Sequence, residues 1–161
     1  SALQGEQGYE MLCAALRTGR PYAMAFVDMR MPPGWDGVET IARLWKDYPE
    51  LEVVICTAYS DTSWEDIAQR LGRSDRLLIL KKPFDHMEVQ QLAWALTERW
   101  RLRKQGSEKL GELGEILEKL AERCAAADAS AAPGADVPSV QELVNRARSV
   151  LESLPAHRPS R

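Results

Sequence analysis

An α/β fold built on a parallel sheet is what this sequence predicts. Three short apolar runs alternate with amphipathic segments of helical period, and the connections between them are only a few residues long. Within these runs the stretches 23–27, 53–56 and 77–80 are apolar, as strands covered on both faces are. Each also ends on a group able to do chemistry: Asp28, then Thr57, then Lys81 and Lys82 before Pro83. In open α/β sheets the chemistry gathers at the carboxyl ends of the strands.

Taken in order, residues 4–17 carry Tyr9, Leu12, Cys13 and Leu16 at helical spacing, and Gly19-Arg20-Pro21 stops that helix. A strand over 23–28 ends on Asp28, where a Pro/Gly turn begins. The helix over 37–47 buries Val38, Ile41, Ala42, Leu44 and Trp45, and Tyr48-Pro49 closes it. A second strand occupies 51–57. Asp61 or Thr62 caps the next helix, whose apolar positions are Trp64, Ile67, Ala68 and Leu71, and Gly72 ends it. A third strand over 77–81 leads into a helix over 85–103.

Gly106 is expected to break that helix and to divide the chain into an α/β part, 1–104, and a helical tail, 105–161. In the tail Leu110, Leu113, Leu117, Leu120 and Cys124 form one amphipathic stripe. Val140, Leu143, Ala147, Val150 and Leu154 form another. Between them residues 125–139, rich in Ala, Asp, Pro and Gly, have a linker composition. Residues 155–161 have no reason to be ordered.

The chain of 161 residues has a net charge of −3, which argues against nucleic-acid binding through overall positive charge. Arg99, Arg101, Arg103 and Lys104 read as cations in the last turn of a helix, complementing its dipole. Three cysteines without CxxC spacing, Cys13, Cys56 and Cys124, fit a reduced, cytoplasmic setting. No apolar run approaches the ~20 residues of a membrane span. The chain opens on Ser1 rather than Met, which raises the expectation of a fragment.

From residue 4 to about 102 the chain resembles the receiver domain of two-component response regulators and hybrid histidine kinases. The stretch Asp28-Met29-Arg30-Met31-Pro32-Pro33-Gly34-Trp35-Asp36-Gly37 looks like the receiver's phospho-acceptor loop, with one residue more than the commonest form. Thr57-Ala58 resembles its switch hydroxyl, and Lys82-Pro83-Phe84 its lysine followed by proline. Each motif alone is weak; in this order, at successive strand ends, they are strong. The resemblance implies a flavodoxin-like, three-layer α/β/α parallel sheet. It also implies that Asp28 accepts a phosphoryl group from a histidine kinase or phosphotransfer protein. Lys82 then pairs with the phosphoryl oxygens, Thr57 turns to hydrogen-bond them, and Mg2+ sits on Asp28 and the main-chain carbonyl of Arg30. Such a domain is a phosphoryl acceptor rather than an enzyme.

The chain departs from the pattern in two ways. A receiver has five βα units, and the expected elements here match its later part, with the first strand, first helix and second strand missing. The acidic pair that holds most of the magnesium follows that first strand, so weak Mg2+ binding and impaired phosphorylation are expected. The truncation is also expected to leave an apolar edge strand open to self-association, for which the helical tail is a second route. The other departure is Ile79, three residues before Lys82, where the family places an aromatic residue. Two alternatives stay open: a degenerate receiver-like binding module that takes no phosphate, and a phosphatase of the haloacid-dehalogenase type. The latter is weaker, because Arg30 stands where its Asp-x-Asp loop needs a carboxylate.

Overall fold

The structure, a computed structural model, describes residues 1–58, 64–128 and 140–153. Its elements run α1 (Gly5–Arg17), β1 (Met24–Asp28), α2 (Gly37–Asp47), β2 (Glu52–Thr57), α3 (Trp64–Leu71), β3 (Leu77–Lys81), α4 (His86–Asp128) and α5 (Val140–Ser153). The three strands form one parallel sheet in the order β1-β2-β3. In the receiver order (second, first, third, fourth, fifth) the last three strands are sequential neighbours in the same way.

Every residue of β2 is buried, and its alternation sorts the core into two layers. Val53 and Ile55 join Leu12, Val27, Val38, Ile41, Leu44 and Ile67, so α1, α2 and α3 contribute to the larger cluster. Val54 and Cys56 join Leu80 and Leu96, with Val89 and Leu92 packed against them from α4. Phe26 pairs with Val54 in the register and shares that second layer, yet it is 39% exposed at the outer strand of the sheet.

Local chemistry sets the element ends. Gly19, at φ +67, lets the chain leave α1, while Gly19 N–H donates to Leu16 O and Arg20 N–H to Ala15 O. Asp36 caps α2 by accepting from Glu39 N–H at 2.7 Å. At α4 a reciprocal pair forms: Glu88 N–H donates to Asp85 Oδ1 and Asp85 N–H to Glu88 Oε2.

The structure corrects the expected break at Gly106. Helix α4 continues through Gly106, Gly111 and Gly114 to Asp128, 43 residues in all. Each internal glycine costs about 1 kcal/mol relative to Ala, and the surrounding Leu, Glu, Lys and Gln are strong helix formers that offset it. The basic cluster is therefore mid-helical and does not face a helix end. Arg99 instead holds buried Glu52, and Arg101 pairs with Glu98. Residues 125–128, expected in a linker, are helical. The Asp61 or Thr62 cap, the rest of that linker, the Cys124 side chain, Leu154 and the last residues lie outside the described residues. The chain divides into two compact units, 1–101 and 102–161. No helix among the described residues is long and apolar enough to cross a membrane.

Candidate functional site

The parallel register carries Asp28, Thr57 and Lys82 to one edge of the sheet. Asp28 closes β1 opposite Cys56, Thr57 closes β2 opposite Lys81, and Lys82 follows at the end of β3. Main-chain bonds fix this edge: Met29 N–H donates to Cys56 O and Lys82 N–H to Thr57 O, both at 2.8 Å.

Here Lys82 Nζ donates to Asp28 Oδ2 in an ion pair that joins the two outer strands across β2. Arg30 N–H reaches Asp28 Oδ1 at 3.3 Å. Partial burial pushes the Asp28 carboxyl up, but the Lys82 ammonium and the Arg30 and Met29 N–H groups outweigh it and hold the carboxyl below its usual range. Thr57 is buried, and its hydroxyl donates to Ala58 O at 3.0 Å. The Cys56 thiol is pushed up by burial and then by the neighbouring Asp28 charge. Of the two lysines, it is Lys82 that meets Asp28. Ile79 packs against the larger core cluster.

The loop after Asp28 is clamped by groups no local pattern announces. Gly37 N–H donates to Met29 O at 2.9 Å, and a Cβ at Gly37 would lie 2.5 Å from Asp28 O, so only glycine fits. Gln4 Nε2 donates to Pro32 O, and Glu6 Oε1 accepts from Trp35 N–H. The Trp35 ring meets Tyr9 edge-on at 6.0 Å and Arg43 at 4.1 Å from its centroid. Trp35 thus anchors the loop, as a packing residue does. Tyr9 also donates to Asp47 Oδ2, and that bond to a carboxylate is the largest cause of its pKa being pushed up to about 12.

A magnesium site is not made up by the described residues. Among the described residues no group of three or more His, Cys, Asp or Glu side chains is placed to hold a metal ion. Asp28, already paired with Lys82, and one main-chain carbonyl fall short of the oxygen cage such an ion prefers.

No protein-family model and no curated protein matches the sequence. Solved structures do. An adenylate cyclase from Rhodopirellula baltica superposes with a TM-score of 0.54 at 23% identity, over 67% of this chain and 75% of that one. NtrX from Brucella abortus, in complex with ATP, gives 0.51 at 20% identity, over 74% of this chain and 28% of that one. A response regulator receiver protein from Sinorhizobium medicae is also similar, with a TM-score of 0.47 at 21% identity over 60% of this chain and 71% of that one. The fold is that of a receiver. Its three sequential parallel strands, helices on both faces and loop after β1 reproduce the later part of the receiver sheet. At these identities the first two likenesses speak to fold and not to chemistry.

Proposed function

We propose that the receiver unit is a phospho-acceptor module of a two-component relay, with Asp28 as the acceptor. The observation that carries this is the Asp28–Lys82 pair across the strand ends, with Thr57 on the strand between them. In this reading the Asp28 carboxylate attacks the phosphorus of a phosphohistidine on a kinase or phosphotransfer protein. The new O–P bond forms as the P–N bond breaks, and the donor imidazole takes up a proton. Phosphoryl transfer of this kind depends on positioning and charge neutralisation. Lys82 releases the carboxylate and meets the phosphoryl oxygens, and the Thr57 hydroxyl turns from Ala58 O toward them.

The second reading is a receiver-fold binding module that takes no phosphate. It is favoured by the absence, among the described residues, of a cluster of acidic side chains around Asp28, and by Phe26, exposed on the outer strand β1.

Labelling with acetyl phosphate and magnesium separates the two. It is run on this chain and on the chain extended upstream by a receiver first strand with its acidic loop. The extended chain is expected to take up hydroxylamine-labile label that Asp28→Asn loses. Equal label on Asp28→Asn ends the assignment, and no label on either chain favours the binding module.

A further inference from the structure

The two-helix unit, 102–161, leaves a broad apolar face uncovered. Helix α5 meets α4 through an Arg148–Glu118 ion pair at 2.8 Å, and Ala121 and Val144 are buried. Beside this contact lies an open groove of about 480 Å3, lined by Leu113, Ile116 and Leu117 of α4 and by Leu143, Ala147 and Val150 of α5, with Arg146 as its one charged residue. Leu113, Ile116, Leu120, Leu143 and Val150 are each 47–57% exposed. Leu113, Ile116, Leu143 and Val150 lie together along the groove, and a contiguous apolar patch on a monomer is often functional. A standard interface buries about 800 Å2 per partner, an apolar centre plus a polar rim.

The pattern of this face is self-complementary. Leu113, Ile116 and Leu120 follow the three-four spacing of a coiled-coil seam. On one flank of that seam stand Glu112 and Lys119, one heptad apart and opposite in sign. When two copies of α4 pair antiparallel, Leu113 lies opposite Ile116 of the second copy, and Glu112 meets Lys119 of the second copy. The two-fold axis repeats both contacts. A parallel pairing gives neither charge an opposite. Glu112 now holds Lys109 at 2.7 Å in an exposed pair, which costs little to exchange.

We infer that this face is a homodimer interface, its occupant a second copy of the chain in antiparallel, isologous contact. Such an interface closes on itself and does not propagate. It rests on the two-helix unit alone and is independent of the Asp28 chemistry.

Analytical ultracentrifugation of the full chain, from low micromolar to hundred-micromolar concentration, is the test. The wild type is expected to be a reversible dimer, and Ile116→Glu a monomer with its helical circular dichroism retained. Glu112→Lys should weaken the dimer about fivefold or more, and Glu112→Lys with Lys119→Glu should restore it. If Ile116→Glu loses helix, the exposed charge reversals still decide the matter. A wild type that stays monomeric at the highest concentration overturns the inference. So does a dimer that survives Ile116→Glu, one lost only on Phe26→Lys at the β1 edge, or a reversal the second charge fails to rescue.

Discussion

The two units bury their apolar residues by different means. In the α/β unit Ile41, Leu51, Val53, Val54, Ile55 and Ile67 lose all contact with solvent, because β2 has a strand on each side and helices on each face. In the two-helix unit Ala121 and Val144 are the buried hydrophobics among the described residues, and the larger aliphatic side chains stay half exposed. Two helices share one line of contact, so each keeps an outer face in water. A layered sheet supplies its own second surface, whereas a helix pair of this composition does not.

The sharpest way to break that comparison is to cut one core residue in each unit. Ile55→Ala in the centre of β2 should cost about 4 kcal/mol, since the loss of three well-packed carbons leaves a cavity that the sheet cannot close. Val144→Ala should cost about 1 kcal/mol, because a loosely enclosed helix pair relaxes around the loss. Denaturant melts of each variant give both numbers. Equal costs would mean the helical unit has a core as tight as the sheet's.

Ion pairs sharpen the same contrast. Glu52 is 0% exposed and Arg99 holds both its carboxylate oxygens, whereas Arg148 and Glu118 are each more than half exposed. Arg99→Ala leaves a buried carboxylate without its main cation and should cost about 3 kcal/mol. Arg148→Ala should cost less than about 0.5 kcal/mol. A loss at Arg99 no larger than at Arg148 would show that water reaches Glu52 freely.

How far these features were legible in the sequence follows from the range of each interaction. The strand ends at Asp28, Thr57 and Lys81 and the helix over Gly37–Asp47 are local patterns, and the structure has them where the periodicity and turns put them. The grouping of Asp28 with Lys82 was legible because a parallel sheet aligns strand ends. The clamp on the loop was not: Gln4, Glu6, Tyr9 and Arg43 reach it from α1, its N-terminal cap and α2, and no spacing rule connects them. Glu52 carried a signal that went unread, a lone carboxylate in an apolar strand, which needs a buried cation. Gly106 misled because a glycine is a weak helix breaker when strong formers flank it.

Asp36 tests a smaller term in the α/β unit. It caps α2 and pairs with Arg70 of α3 at 3.1 Å, which ties the end of the loop after β1 to two helices. Asp36→Ala should cost about 1 kcal/mol, most of it the cap. Asp36→Asn should recover most of that loss, because an amide oxygen also accepts from Glu39 N–H. If Asn is as costly as Ala, the Arg70 pair dominates and the cap is minor.

A small effect is expected at Asp28 itself, and its sign is set by the direction of its pKa. The folded carboxyl titrates below its ordinary value of 3.8. Its stabilisation is therefore fully present above 3.8 and is lost as pH falls through the lower, folded value. Because Asp28 and Lys82 are each about 40% exposed, solvent screening keeps this below about 1 kcal/mol. Thermal melts of the wild type should decline more steeply than those of Asp28→Asn as pH drops under 3.8, and the two curves should run parallel between pH 5 and 8. Carboxylates elsewhere titrate alike in both proteins and cancel in the difference. Curves that stay parallel under 3.8 would mean the Asp28–Lys82 pair stabilises nothing in solution. That result would leave the strand-end pair a matter of position rather than of stability, which sharpens rather than removes the contrast between a site at the sheet edge and an apolar face on the helices.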